Sequence, residues 1–296
     1  MFFPISGVNV SPFIPPLVAF CVSFLTSMGG ISGAVLLLPF QMSILHFTSP
    51  SVSPTNLIFN LVATPSGIYR YIKEGRMVWP LAWVLIIGTL PGIFIGAILR
   101  VKYLHDPGTF KVFAGLVLLC LGLRLFYDAI GNKPNLTSSI PPDTGIKITK
   151  LSIEEVEYEF CRERLTFNCP ILFAFAFAIG IIGGAYGIGG GAIIAPFLVT
   201  SFALPVHTIA GAALMSTFVT SLAGVFFYNF LGKIYAHPGL VITPDWLLGI
   251  LFGFGGGLGM YWGARSQKFI PEKIIKAILG VVVLFLSVQY IIQYMI

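Results

Sequence analysis

The stretch GIIGGAYGIGGGAIIAPFLV, residues 180–199, decides the fold of this chain. A cluster of glycines interrupts an apolar segment, and Pro196 follows it. A continuous buried helix avoids this composition, because each interior glycine costs roughly 0.5–1 kcal/mol relative to alanine. Inside a membrane, the freed backbone groups also need partners within the protein. The stretch is therefore either a close-packing surface or a deliberate helix break.

The composition predicts an all-α polytopic membrane protein. The 296 residues are 56% hydrophobic and 9% charged, whereas soluble domains carry about 25% charged residues. The net charge of +6 does not indicate nucleic-acid binding, because the basic residues lie at the ends of apolar segments, where they act as topology signals. The first dozen residues contain no Lys or Arg, so they do not resemble a cleavable signal peptide. Four cysteines without CxxC spacing argue against a disulfide framework or a metal site.

The apolar segments fall into two sets separated by a polar stretch. Residues 1–130 form a first transmembrane repeat and residues 169–296 a second, and each begins with a broken apolar stretch followed by three spans. Residues 131–168 are predicted to be a polar cytoplasmic linker. Ser152 and Glu155 have the spacing of a capping box, which predicts a short amphipathic helix within the linker.

The second set repeats the first in register. The matched pairs at a separation of 157 residues are Gly30 with Gly187, Gly33 with Gly190, Pro39 with Pro196 and Gly67 with Gly224. After a ten-residue insertion, the pairs at a separation of 167 residues are Gly88 with Gly255, Gly92 with Gly259 and Gly96 with Gly263. The chain is thus a tandem duplication. The last three pairs lie in uninterrupted spans, and their four-residue spacing predicts helix-packing faces.

The distribution of basic residues favours inverted copies. If each broken stretch is a re-entrant hairpin, thirteen of the seventeen basic residues share one side of the membrane. If both stretches span fully, the division is ten to seven. Cytoplasmic loops are enriched in Lys and Arg, so the hairpin arrangement is preferred. Three crossings per copy invert the second copy and place both termini outside.

Inverted repeats with paired broken helices predict a binding site between the repeats, near the bilayer midplane. A helix that restarts after each break would direct its N-terminal N–H groups and positive dipole end inward, which makes a seat for an anion. Close helix packing is the alternative role of these glycines. The candidate residues at the two breaks are Gly29, Gly30, Ser32 and Gly33, and Gly187, Gly189, Gly190 and Gly191.

Polar side chains at helical spacing follow each break. They are Asn56, Asn60 and Thr64 in the first copy, and Ser216, Thr217, Thr220 and Ser221 in the second. Each set lies on one helix face, and exposure of that face to lipid would be costly. We therefore expect both faces to point inward and to line a path, with inter-helix hydrogen bonding as the alternative for any single residue.

The positions of the acidic residues indicate the charge of the ligand. No Asp or Glu lies in the middle of a predicted span, and a cation site at that depth usually needs a carboxylate. The ligand is therefore expected to be an anion, and Arg70, Lys73 and Arg76 are expected to attract it at the cytoplasmic mouth. No acid–base set, metal-ligand cluster or phosphate loop occurs, so the sequence predicts neither an enzyme nor a cofactor. The GIGGGA match to a dinucleotide motif lacks the preceding strand that the motif requires.

The motif GIGGGAIIAPFL, its degenerate partner GGISGAVLLLPF and the tandem duplication resemble the sulfite exporter TauE/SafE family over nearly the whole chain. The resemblance implies a secondary-type transporter of small organosulfur anions or sulfur oxyanions in the cytoplasmic membrane. Ser32 and Ala34 stand where the second copy has Gly189 and Gly191, so equal contact of both hairpins with the substrate is not implied. A channel-like permease for small anions or neutral solutes is the alternative. The partners expected are the lipid bilayer and the anion, and a coupled proton or ion and a homodimer stay open.

Overall fold

The computed structural model describes residues 1–130, 146–160, 163–202, 204–235, 240–270 and 272–295. The helices of the first copy are α1 (Ile14–Met28), α2 (Ala34–Ser43), α3 (Val52–Lys73), α4 (Trp79–Lys102) and α5 (Pro107–Ile130). Those of the second are α6 (Cys169–Tyr186), α7 (Gly191–Ser201), α8 (Val206–Ile234), α9 (Trp246–Ser266) and α10 (Glu272–Met295). A short strand pair, β1 (Phe2–Phe3) and β2 (Val8–Asn9), precedes α1.

Among the described residues, six helices are long and apolar enough to cross a membrane, namely α4, α5, α6, α8, α9 and α10. The protein is thus a multi-pass, essentially all-α membrane protein, as the composition predicts. The 22-residue α3 falls outside this set because polar side chains such as Asn56 and Asn60 lower its hydropathy. Those residues are nevertheless fully buried, so α3 lies inside the bundle and need not be apolar all round.

Both glycine clusters are helix breaks at which the chain folds back. A Cβ placed on Gly33 would lie 2.5 Å from Ser23 Oγ, so the start of α2 lies beside the middle of α1. In the second copy, a Cβ on Gly183 would lie 2.7 Å from the carbonyl oxygen of Gly189. Gly30 and Gly187 have φ values of 72° and 87°, a conformation that favours glycine. Each copy therefore opens with a helical hairpin, α1–α2 or α6–α7.

The equivalent helices α3 and α8 run antiparallel. A Cβ on Gly67 would lie 2.9 Å from Leu214 Cδ1, and a Cβ on Gly224 would lie 2.7 Å from Leu57 Cδ1. These two contacts are counterparts, because a shift of 157 residues converts Leu57 to Leu214 and Gly67 to Gly224. A two-fold axis that crosses the helices produces such an exchange. This exchange supports an inverted arrangement of the two copies.

The four-residue glycine repeats are packing faces, as predicted. Gly88, Gly92 and Gly96 of α4 lie against α6, and a Cβ on Gly96 would lie 2.1 Å from the carbonyl oxygen of Ile181. The matching face of α9 lies against α1, where a Cβ on Gly255 would lie 1.8 Å from the carbonyl oxygen of Pro16. Each hairpin is therefore held by a span of the other copy through backbone contact that any side chain would prevent.

The predicted amphipathic helix in the linker is wrong. Within residues 146–160 and 163–168, an antiparallel sheet is formed by β3 (Lys147–Leu151), β4 (Glu155–Phe160) and β5 (Glu163–Asn168). Apolar and polar side chains alternate along β4, which is typical of a strand with one buried face. Val156, Tyr158 and Phe160 are buried, and the residues between them are more exposed. Ser152 donates its N–H to the carbonyl oxygen of Glu155 at 3.1 Å and so closes a turn instead of capping a helix. Residues 131–145 of the linker lie outside the described residues.

The sheet rests on the end of the bundle where α3 ends and α8 begins. The Tyr158 and Thr208 hydroxyls are hydrogen-bonded at 2.9 Å, and burial raises the pKa of Tyr158 to about 12. The N–H of Ile146 donates to the carbonyl oxygen of Gly75 at 3.3 Å. The loop after α3 and the linker therefore share one end of the molecule.

Candidate functional site

The amide side chains of α3 join the two helix breaks. Asn56 Nδ2 donates to the carbonyl oxygen of Ala34 at 3.0 Å and to that of Gly187 at 3.1 Å. Asn60 Nδ2 donates to the carbonyl oxygen of Ile188 at 2.8 Å, and its Oδ1 accepts from the Ser32 hydroxyl. Two neighbouring turns of one helix thus hold backbone from both copies.

Hydroxyl groups of α8 line the return of the second hairpin. Gly190 N–H donates to Thr220 Oγ1 at 3.2 Å, and a Cβ on Gly189 would lie 3.1 Å from Thr217 Cγ2. Ser216 Oγ lies 3.1 Å from Thr89 Oγ1 of α4. Within the described residues, Ser221 Oγ is buried without a hydrogen-bond partner. The predicted polar face of α8 therefore points inward and contacts the second break.

The structure brings most, but not all, of the candidate residues together. Ser32, Asn56, Asn60 and Gly187 form one connected group, and Gly189 to Gly191 meet the hydroxyl face of α8. Gly29 and Gly30 lie apart from this group, against Leu279 of α10 and Ala210 of α8. Thr64 donates its hydroxyl to the Asn60 carbonyl oxygen within its own helix, at 2.7 Å.

The candidate glycines serve close packing as well as the helix break. A Cβ on Gly190 would lie 2.4 Å from Thr89 Cβ, and a Cβ on Gly191 would lie 2.0 Å from the carbonyl oxygen of Ala213. Neither distance leaves room for a side chain. The sequence left open whether these glycines form a helix break or a close-packing surface. Both descriptions apply to the same residues, because the backbone of the break lies in close contact with neighbouring helices.

The restarting helices direct N–H groups at hydroxyl oxygens. The N–H of Ala34, the first residue of α2, donates to Ser32 Oγ at 3.3 Å, while that of Gly190, which precedes α7, donates to Thr220 Oγ1. Helix N-termini also favour negative charge through the macrodipole. An anion at either position would replace a hydroxyl oxygen as acceptor.

All eight polar side chains that the sequence predicts at the breaks and on α3 and α8 are fully buried. They are Ser32, Asn56, Asn60, Thr64, Ser216, Thr217, Thr220 and Ser221, and none has exposed surface. The structure therefore represents a closed arrangement, in which a ligand reaches these groups only after helices or hairpins move.

The cations predicted at the mouth are not all available to attract an anion. Glu74 forms ion pairs with both Arg70 and Arg76. Arg76 is also buried and reaches Gln267 Oε1 at 3.3 Å. Lys73 is exposed, with its Nζ 5.8 Å from the Tyr69 ring centroid. The expectation of an exposed three-charge mouth thus needs correction, because Glu74 neutralises much of the charge.

Sequence reasoning missed Arg100, which it counted only as one of the four basic residues opposite the other thirteen. This residue lies in the last turn of α4 and is fully buried. Its Nε donates to Ser53 Oγ at 3.1 Å, and its guanidinium carbon lies 3.6 Å from the Phe110 ring centroid. A signal was present in the repeat, since the 167-residue shift pairs Arg100 with another long polar residue, Gln267.

Carboxylates lie at the periphery of this site. Asp245 caps α9 by accepting from the Leu248 N–H at 3.1 Å, and Asp128 pairs with Lys276 at 3.8 Å. Across the described part of the chain, no group of three or more His, Cys, Asp or Glu side chains could hold a metal ion. The chemistry available at the breaks is therefore that of amides, hydroxyls and backbone N–H groups.

Comparison with known proteins gives a match along almost the entire chain. The family model described as Sulfite exporter TauE/SafE matches residues 16–290. The probable membrane transporter protein YunE of Bacillus subtilis is 24% identical over 273 residues, which cover 90% of this chain and 92% of that protein. A probable membrane transporter protein of Xylella fastidiosa strain Temecula1 is 22% identical and covers 91% of each chain. No solved structure matches the chain significantly.

Proposed function

The chain belongs to the sulfite exporter TauE/SafE family, and from this premise we propose that it is a secondary-type transporter of a small anion. The substrate class is a sulfur oxyanion or an organosulfur anion, and the compartment is the cytoplasmic membrane with both termini outside. The names of the relatives, probable membrane transporter proteins, support the general activity. The matched family supports the substrate class.

One observation carries the proposal, which is the junction of both hairpin breaks on the buried face of α3. Asn56 holds the carbonyl oxygens of Ala34 and Gly187, one from each copy, and Asn60 holds that of Ile188 in the second copy. A site held jointly by two inverted halves is one that rocking of the halves can expose to either side in turn. N–H donors and hydroxyls, with carboxylates kept to the periphery, suit a negative ligand.

Complete burial supports a carrier over a channel. Polar side chains that line an open pore would be accessible to water, whereas Asn56, Asn60 and Thr217 have no exposed surface. In the proposed cycle, one hairpin and its supporting span separate from α3, the anion displaces a hydroxyl acceptor, and the opposite hairpin then opens. The binding energy for the anion offsets the hydrogen bonds that are lost on opening.

Flux measurements on purified protein in liposomes test this proposal. We expect uptake of radiolabelled sulfite to saturate with concentration and to be inhibited by small sulfonates. Choline and other organic cations are the control solutes and should not compete. Flux that rises linearly with sulfite concentration would favour the channel alternative, and absence of anion flux or competition by cations would contradict the proposal.

A further inference from the structure

Arg100 carries a buried positive charge that the described residues leave without a counter-ion. Its side chain has no exposed surface, and its one recorded hydrogen bond runs from Nε to Ser53 Oγ. Within the described ranges, Nη1 and Nη2 are buried and lack hydrogen-bond partners. Because burial of an unpaired charge is strongly unfavourable, such a group calls for a further partner, for example a bound ion.

The surroundings of Arg100 hold its guanidinium group in a fixed plane. The Phe110 ring lies against one face, with 3.6 Å between the guanidinium carbon and the ring centroid. Ser53 fixes the Nε edge, and its own backbone lies against the second hairpin, since a Cβ on Gly187 would lie 2.5 Å from Ser53 Cα. The edge that carries Nη1 and Nη2 is therefore oriented in advance.

In the other copy, the position equivalent to Arg100 holds a neutral residue, and the buried cation beside it, Arg76, is paired with Glu74. Gln267, the counterpart of Arg100, accepts hydrogen bonds at Oε1 from Tyr71 and Arg76, both at 3.3 Å. Its Nε2 donates to the Met28 carbonyl oxygen at 3.0 Å. The neutral residue is fully bonded within the protein, whereas the charged one is not. This difference between the copies points to a ligand on the Arg100 side alone.

We propose that Nη1 and Nη2 of Arg100 bind the oxyanion group of the transported anion, at a subsite beside the tip of the second hairpin. Two parallel N–H donors match two oxygens of a sulfite, sulfonate or carboxylate group. This assignment rests on the proposed function, since it names the part of the transport path that recognises negative charge. The phosphate of a lipid headgroup has the same chemistry, and the experiment below separates the two.

The subsite lies on the path that α3 defines. Ser53, Asn56 and Asn60 follow one another along α3 at intervals of three and four residues, and hence on one face. An anion released from Arg100 meets the amides of that face next. Arg100 thus provides charge recognition at one end, and the neutral amides receive the ligand further in.

Sulfite binding to the full-length protein in a neutral detergent tests the inference. R100Q gives α4 the residue found at the equivalent position of the second copy, directly after α9, and K102Q removes one charge from the exposed end of α4 as a control. We expect sulfite to raise the Tm of wild type and K102Q, and the Kd for sulfite to rise about 10- to 100-fold in R100Q. R100K keeps the charge but loses the fork, so its Kd should lie between those of wild type and R100Q.

The Tm without ligand separates recognition from a structural role. Because R100Q removes an unpaired buried charge, its Tm without sulfite should equal or exceed that of wild type. Unchanged sulfite affinity in R100Q would overturn the inference, as would wild-type affinity in R100K if R100Q cannot be purified. An Arg100-dependent Tm shift with phosphatidylglycerol but none with sulfite would assign the group to a lipid. Normal sulfite flux in R100Q would reject this subsite and leave the proposed function standing, whereas absence of flux in wild type would reject the proposed function itself.

Discussion

Asn60 of α3 donates a hydrogen bond from Nδ2 to the carbonyl oxygen of Ile188, at 2.8 Å, and so binds the first copy to the break in the second. The same side chain accepts from the Ser32 hydroxyl of the first break. A single amide therefore contacts both hairpins, and loosening of either one changes its bonding. Asn60 therefore belongs both to the candidate site and to the contacts that hold the two hairpins.

Replacement of Asn60 should impair both stability and transport. N60A leaves the Ile188 carbonyl oxygen and the Ser32 hydroxyl without their partner, at a cost of about 1–3 kcal/mol in the free energy of unfolding. We expect initial sulfite flux in proteoliposomes to fall at least tenfold. N229A is the matched control, because Asn229 Nδ2 donates only to the Val225 carbonyl oxygen of its own helix, at 2.9 Å. Equal flux in the two variants would refute the role assigned to Asn60.

Even a methyl group should be too large at Gly190. A Cβ there would lie 2.4 Å from Thr89 Cβ, and overpacking of this kind typically costs about 1–3 kcal/mol. G190A should therefore lower the Tm and reduce flux strongly, and G190L should abolish flux. G257A is the control, because its Cβ would have no neighbour nearer than 3.7 Å. Normal flux and Tm in G190A would show that α7 can move away from α4 without consequence.

The cations after α3 should differ in their roles. Arg76 is buried against Glu74 and Gln267, so R76Q should destabilise the protein by about 1–3 kcal/mol. Lys73 is exposed, and K73Q should leave the Tm unchanged while it reduces flux less than twofold, with a smaller effect at high salt. Thermal unfolding and flux at two ionic strengths provide the measurement. A K73Q variant that unfolds earlier than R76Q would contradict this assignment.

Single cysteines should label the two ends of the molecule from opposite sides of the membrane. Lys73 and Lys150 belong to the end that carries the linker sheet, whereas Asn9 and His105 belong to the other, and all four are exposed. With the native cysteines replaced by serine, an impermeant maleimide should label K73C and K150C only in inside-out vesicles. N9C and H105C should react only in right-side-out vesicles. Labelling of N9C and K150C from the same side would refute the inverted arrangement.

The sequence by itself determined the class of the protein, its duplication and the position of both helix breaks. The apolar composition, the repeated spacing of the glycines and the basic residues at the ends of the spans are local or periodic properties. Each of them can be seen in the sequence without knowledge of the tertiary structure. The glycine repeats at Gly88 and Gly255 were assigned to packing for the same reason. The prediction of a helix in the linker was wrong, because the capping-box spacing of Ser152 and Glu155 occurs in the same segment as the alternating pattern of a strand. Burial of the alternate side chains against the bundle favours the strands.

Only the tertiary structure decided which polar groups meet. Spacing placed Asn56 and Asn60 on one face, but their bonds to Gly187 and Ile188 cross more than a hundred residues and depend on how the copies pack. The same holds for the charges. Glu74 forms ion pairs with two arginines that the sequence presented as free. Arg100 is buried, and its Nη1 and Nη2 have no hydrogen-bond partner among the described residues. Whether a charge is solvated, paired or left for a ligand depends on contacts between distant segments, which no local pattern encodes.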